Sequence, residues 1–126
     1  MRLLLDTHVL LWAVEDSPRL KPAIRAQLVD QENEILFSMV SVWEAVIKIR
    51  VGKMHLDWRK LVPVALESGF RRIGVDLAHL EALAGLPRHH RDPFDHLLIA
   101  QAIAERATLV TSDGFLADYP VEMIRA

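Results

Sequence analysis

Arg2–Trp12 reads RLLLDTHVLLW, and this stretch decides the fold class. Three consecutive leucines fit a strand with both faces covered. The apolar run ends in Asp6. From His8 to Glu15 the apolar residues Val9, Leu10, Trp12 and Ala13 recur at helical spacing. The opening is therefore a buried strand, an acid and a helix.

The same change of period recurs along the chain. Lys21–Asp30 is predicted as an amphipathic helix carrying Ile24, Leu28 and Val29 inward. Ile35–Ser38 is predicted as a second buried strand, and Val40–Val51 as a helix stopped by Gly52. Trp58–Glu67 has a helical pattern with Pro63 awkwardly in its middle. Phe70–Val75 follows as a third strand, and Asp76 can N-cap a helix reaching Ala84. Asp92 and Pro93 open the clearest helix, with a cap residue followed by proline at the first helical position. Thr108–Thr111 is a fourth strand, Phe115–Asp118 a helical turn and Val121–Ile124 a last strand. The pattern predicts one domain, 1–126, of the α/β class: three layers around a mainly parallel sheet of about five strands. In such sheets functional groups gather at the carboxyl ends of the strands.

Composition narrows the chemistry. The chain has 126 residues and no cysteine, which excludes disulfides, thiolate metal sites and thiol nucleophiles. Its net charge of −2 does not announce a nucleic-acid binder. Any RNA-binding surface therefore needs basic residues segregated from the acidic ones. No apolar run is long enough for a membrane span, and Asp6 interrupts the N-terminal run too early for a signal peptide. The expectation is a cytoplasmic protein with no membrane partner.

Four acids fall where such a sheet would gather them. Asp6 ends the first strand and Asp113 follows the fourth. Asp95 lies in the first turn of the helix entering that strand. Glu44 is expected in the first turn of the helix leaving the second. Two carboxylates about 4 Å apart repel by roughly 4 kcal/mol at an effective dielectric near 20. A cluster of four needs raised pKa values or bound cations. Oxygen ligands suit Mg2+ or Mn2+, and such ions promote in-line hydrolysis of a phosphodiester.

Each acid also has a purely structural reading. Ser41 to Glu44 fits the S-x-x-E capping box. Asp95, three residues after Asp92, suits the helix dipole. Asp113, after Thr111 and Ser112, suits a turn. Asp6 is the hardest to read that way, because an unpaired acid after Leu3, Leu4 and Leu5 is costly. Thr7 and Ser112 sit beside two of the acids and can orient a carboxylate or simply serve turns. Asp92 is an extra acid that capping already explains.

Other residues carry weaker signals. His8, His89, His90 and His96 lack ligand-like spacing and read as loop or helix-surface residues. Lys48, Arg50, Lys53, Arg59 and Lys60 read as a solvated basic face. Arg88 and Arg91, directly ahead of the acidic helix, are the better candidates for phosphate contacts. Trp12, Trp43 and Trp58 read as core or interface anchors. The apolar faces of the first two helices offer a groove for a second copy or another protein.

Four ordered stretches resemble a known family. They are Leu4–Trp12 (LLDTHVLLW), Ser38–Lys48 (SMVSVWEAVIK), Arg91–Ala102 (RDPFDHLLIAQA) and Leu109–Phe115 (LVTSDGF). Across nearly the whole chain they resemble PIN-domain ribonucleases, and within them the VapC-like toxins of toxin–antitoxin pairs. The resemblance implies a PIN-like fold and an acidic quartet of Asp6, Glu44, Asp95 and Asp113 binding Mg2+ or Mn2+. It also implies cleavage of structured RNA, a homodimer and a cognate antitoxin. Two rivals stay within this family: a PIN module that only binds partners, and a related nuclease acting on DNA. Rivals outside it lack their marks. A haloacid-dehalogenase-type phosphatase needs a second acid where this chain has His8, and a dinucleotide enzyme needs a Gly-rich first turn.

Overall fold

The computed structural model describes residues 1–88, 92–114 and 118–126. The strands are β1 (Arg2–Leu5), β2 (Glu34–Ser38), β3 (Arg71–Ile73), β4 (Thr108–Thr111) and β5 (Met123–Arg125). The helices are α1 (Thr7–Val14), α2 (Pro22–Val29), α3 (Met39–Arg50), α4 (Leu61–Glu67), α5 (Leu77–Ala84) and α6 (Pro93–Ala104). The strands form one sheet in the order β3-β2-β1-β4-β5. Every pairing is parallel, and Leu4 lies level with Leu36 on one side and Leu109 on the other.

The leucine run reads out on both faces of β1, as the pleat requires. Leu3 and Leu5 join Ile35, Phe37 and Val110 in one core, closed by Val9 and Leu10 of α1, Ile24 and Leu28 of α2 and Ala65 of α4. Leu4 points the other way, with Leu36 and Leu109, against Ile99 and Ala102 of α6. Leu3, Leu4 and Leu5 are fully buried, each worth roughly 1.5–3 kcal/mol relative to exposure. A third cluster of Leu11, Val42, Ala45 and Leu61 ties α1, α3 and α4 together. No helix among the described residues is long and apolar enough to cross a membrane.

Several boundaries depart from the sequence reading, each for a local reason. The 58–67 segment divides into a 3-10 turn, Trp58–Lys60, and helix α4. Pro63 therefore lies in the first turn of α4, where its missing N–H has no intrahelical partner to lose. Val29 is 73% exposed rather than inward; Leu28 already fills the buried stripe. β3 is shorter than 70–75, because only 71–73 pair along the sheet edge. β5 begins at Met123, after a turn in which Val121 N–H donates to the Tyr119 carbonyl. The predicted turn at 115–118 lies largely outside the described residues.

The strand order also locates the functional end of the molecule. From β1 the chain proceeds outward to β2 and β3, then returns to place β4 and β5 on the other side of β1. The order therefore reverses between β1 and β4. In open parallel sheets the crevice beyond the carboxyl ends at such a reversal is where ligands bind.

Candidate active site

Asp6 stands at that reversal. Its backbone N–H continues the ladder by donating to the Val110 carbonyl at 2.9 Å. Its side chain then N-caps α1, with Oδ1 accepting from the Val9 N–H at 2.8 Å. Oδ2 accepts from the Thr111 hydroxyl at 2.6 Å and from the Ser112 N–H at 3.1 Å. A carboxylate offers about four acceptor positions, so these three donors fix its orientation. Asp6 is only 5% exposed. Burial, the dominant influence, raises its pKa above the ordinary carboxylate value, opposed by Thr111, the two backbone N–H groups and the His8 charge.

Glu44 approaches from α3. That helix is capped by Ser38, whose Oγ accepts from the Val40 N–H at 3.0 Å. The cap falls three residues before Ser41, so the expected capping box at 41–44 does not form, and Glu44 lies in the second helical turn. It is 3% exposed. Oε1 accepts from the Thr7 hydroxyl at 2.7 Å, and Thr7 lies 3.1 Å from the Ser41 hydroxyl. Oε2 is ion-paired with Lys48 Nζ at 2.7 Å.

The remaining acids come from α6 and the end of β4. Asp92 caps α6, its Oδ1 accepting from the Phe94 and Asp95 N–H groups at 2.8 and 3.3 Å. Asp95 occupies the first turn. Beyond β4, the Asp113 N–H donates to Thr111 Oγ1 at 3.0 Å, a hydroxyl-closed turn. Asp6, Thr7, His8, Glu44, Lys48, Asp92, Asp95, Ser112 and Asp113 line one cavity of about 160 Å³. Among the described residues, five carboxylates thus share the cavity with a single lysine. For Lys48, burial acts to lower the pKa, but the hydrogen bond and charge of Glu44, with Asp92 and Asp95, outweigh it and raise it.

The donor set fits a hard divalent cation: carboxylate and hydroxyl oxygens predominate, beside the imidazole of His8, and there is no sulfur. The only acid or histidine triplet among the described residues with ligand atoms all within 4.8 Å lies elsewhere, at Asp76, His79 and Glu105. Two members of that triplet, His79 and Glu105, are already engaged within the fold. His79 Nδ1 accepts from the Asp76 N–H at 3.0 Å, and Nε2 meets Glu105 at 2.8 Å. Arg2 holds the other Glu105 oxygen at 3.0 Å. No three acids of the cavity bring ligand atoms that close together, and Mg2+ ordinarily takes only one or two carboxylates and keeps several waters.

Comparison with known proteins agrees with this architecture. A family model, the PIN domain, matches residues 3–121. The chain belongs to the PIN domain family. No curated protein matches it significantly. Solved structures share the PIN fold. VapBC2 from Rickettsia felis, bound to a DNA fragment from its promoter, is 20% identical with a TM-score of 0.77, covering 99% of this chain and 98% of that one. DNA-bound VapBC from Salmonella typhimurium is 16% identical, with a TM-score of 0.70 and the same coverage. FitAcB from Neisseria gonorrhoeae is 20% identical, with a TM-score of 0.66 and coverage of 98% and 96%. At these identities the likeness is one of fold.

Within this PIN fold, Asp6, Glu44, Asp95 and Asp113, with Thr7, Ser112 and Asp92, all line the one cavity. Arg88 is exposed and outside that lining, while Arg91, His89 and His90 lie outside the described residues. His8 also lines the cavity, and His96 is half-buried with Nε2 2.8 Å from the Tyr119 hydroxyl. Trp43 is not a core residue. It is 54% exposed, with its ring edge-on to Phe94 at 4.8 Å between centroids. Trp12 is half-buried against the first core.

Besides His8, two residues of the site are not singled out by the sequence. Lys48 looked like part of a solvated basic face, although its place four residues after Glu44 is the spacing of a helical ion pair. Thr111 looked like an ordinary strand residue, although a hydroxyl at the last position of a central strand was a usable signal. A larger cavity of about 530 Å³, lined by residues such as Leu20, Leu28, Asn33 and Phe70, contains none of these acids.

Proposed function

We propose that this protein is a metal-dependent endoribonuclease and the toxin of a toxin–antitoxin pair. The observation that carries the proposal is the convergence of Asp6, Glu44, Asp95 and Asp113 on one cavity at the reversal of strand order. These four residues are assigned to hold Mg2+ or Mn2+. The bound cation would supply charge neutralisation, activation of water and stabilisation of the leaving oxygen in phosphodiester hydrolysis.

The chain's own residues supply position. Thr111, Ser112 and the first turn of α1 fix Asp6. Thr7 fixes Glu44. Asp92 holds the first turn of α6 and so places Asp95. Arg88 and Arg91, just ahead of that cap, are assigned to contacts with backbone phosphates. The toxin role is supported by the similarity to VapBC complexes, and it implies a cognate antitoxin, a homodimer and a cytoplasmic site of action.

Incubation of the purified protein with structured RNA such as transfer RNA tests the activity. Cleavage is expected with Mn2+ or Mg2+. It should vanish with a chelator and in Asp6→Asn and Asp95→Asn, each folded by circular dichroism. RNA cleavage that survives in both folded variants would overturn the site assignment. Cleavage of DNA alone would overturn the substrate. Expression without the antitoxin should arrest growth, and unimpaired growth with soluble wild-type protein would overturn the toxin role.

A further inference from the structure

Lys48 is the only lysine or arginine lining the acidic cavity among the described residues. Its Nζ lies 2.7 Å from Glu44 Oε2, on a carboxylate side chain only 4% exposed, while the lysine side chain is 31% exposed. Exposed helical ion pairs contribute little. This pair is different because one partner is buried: removing the ammonium would leave Glu44 as an uncompensated charge in a poorly solvated place. Glu44 is also one of the four acids assigned to the metal.

We propose that Lys48 is a resident counter-cation, whose ammonium neutralises Glu44 in the metal-free protein and must leave Oε2 when a divalent cation binds there. The inference rests on the reading of the cavity as a metal site. The chemistry of the side chain suits the role. A lysine is a point charge on a flexible stem, and the half-exposed stem offers a route for the ammonium to swing toward solvent. The Thr7 hydrogen bond occupies Oε1, so the Lys48 contact stands on the other carboxylate oxygen.

The rival role predicts the opposite sign. If Lys48 only orients Glu44 for the metal, removing it weakens metal binding. If Lys48 competes with the metal, removing it strengthens binding.

Calorimetric titration of Mn2+ into the metal-free protein distinguishes them. Lys48→Gln is expected to bind Mn2+ about tenfold more tightly than wild type and to melt lower without metal. Lys48→Arg, which keeps the charge and can grip the carboxylate through two N–H groups, is expected to fold like wild type and bind Mn2+ more weakly. Equal or weaker binding by Lys48→Gln would overturn the inference and leave the metal site standing. Should Lys48→Gln not fold, Lys48→Arg decides alone, and binding equal to or tighter than wild type overturns the inference. No Mn2+ binding by either wild type or folded Lys48→Gln would overturn both the inference and the metal-site reading beneath it.

Discussion

The Thr7 hydroxyl donates a 2.7 Å hydrogen bond to Oε1 of Glu44. It joins the first residue of α1 to the second turn of α3, two helices that leave neighbouring strands. Asp6, one residue earlier, is held by Thr111 and Ser112 beyond β4. Adjacent residues of one turn therefore connect three strand ends. The acidic cavity is a consequence of how the chain leaves β1, β2 and β4, and hydroxyl groups fix the orientation of its two most buried carboxylates.

Thr7→Val tests the first of these links. Valine keeps the shape and removes the donor. Losing a hydrogen bond to a buried carboxylate costs about 1.5–3 kcal/mol, read as a lower urea midpoint. Removing a group that orients a metal ligand typically costs about 10–100-fold in affinity or activity, read by Mn2+ titration and RNA cleavage. Thr7→Ser retains the hydroxyl and should stay near wild type. If Thr7→Val matches wild type in both measurements, Thr7 serves only the turn.

Thr111 is expected to matter for two acids at once. Its hydroxyl donates to Asp6 Oδ2 at 2.6 Å and accepts from the Asp113 N–H at 3.0 Å. Thr111→Val removes both contacts without opening a large cavity. Cleavage should fall about 10–100-fold, with the loss mainly in kcat, and Thr111→Ser should restore most of it. Valine and serine variants of equal activity would remove Thr111 from the positioning machinery.

The sequence carried some of this architecture and concealed the rest. Leu3 to Asp6 announced a doubly covered strand ending in an acid, because both the burial and the charge are local. Asp92 and Pro93 announced α6 for the same reason. The span of α3 was legible to within a residue, but its cap was not: Ser38 and Ser41 are both good caps, and only the end of β2 at Ser38 selects the first. The link between Thr111 and Asp6 spans 105 positions, and no period or spacing encodes such a contact. It follows from the β1–β4 pairing. Lys48 was hidden differently, since its partner is near in sequence but the burial of Glu44 is set by tertiary packing.

Acid titration should expose a second network, away from the cavity. Glu34 on β2 accepts from Arg2 on β1 at 2.6 Å and from Arg71 on β3 at 2.9 Å. The Arg71 hydrogen bond above all holds its pKa below the ordinary glutamate value; burial, the next effect, opposes it, and the charges of Arg2 and Arg71 add to the lowering. A carboxyl with a depressed folded pKa binds its proton more readily in the unfolded chain, so stability falls as pH falls. The contribution is complete above about pH 4.3, the unperturbed glutamate value, and fades below it through the lower folded value. Melting curves of wild type and Glu34→Gln should therefore differ most near neutrality and converge in acid. Curves that stay parallel down to the acid limit would mean that the Arg2–Glu34–Arg71 bridge does not act on stability.

His79 provides the complementary test, because among the described residues its triplet with Asp76 and Glu105 brings ligand atoms within 4.8 Å of one another, yet its contacts are structural. It is 1% exposed, with one nitrogen taken by the Asp76 N–H and the other by Glu105. His79→Leu keeps a side chain of similar bulk but strands these buried polar groups, at about 1–3 kcal/mol for each group left unsatisfied. The urea midpoint should fall clearly. Mn2+ affinity and RNA cleavage, measured where the variant is fully folded, should remain those of wild type, because none of its contacts reaches the acidic cavity. The rival reading, a metal centre at Asp76, His79 and Glu105, requires the folded variant to lose bound metal. A drop in metal stoichiometry with the acidic cavity intact would transfer the assignment to His79.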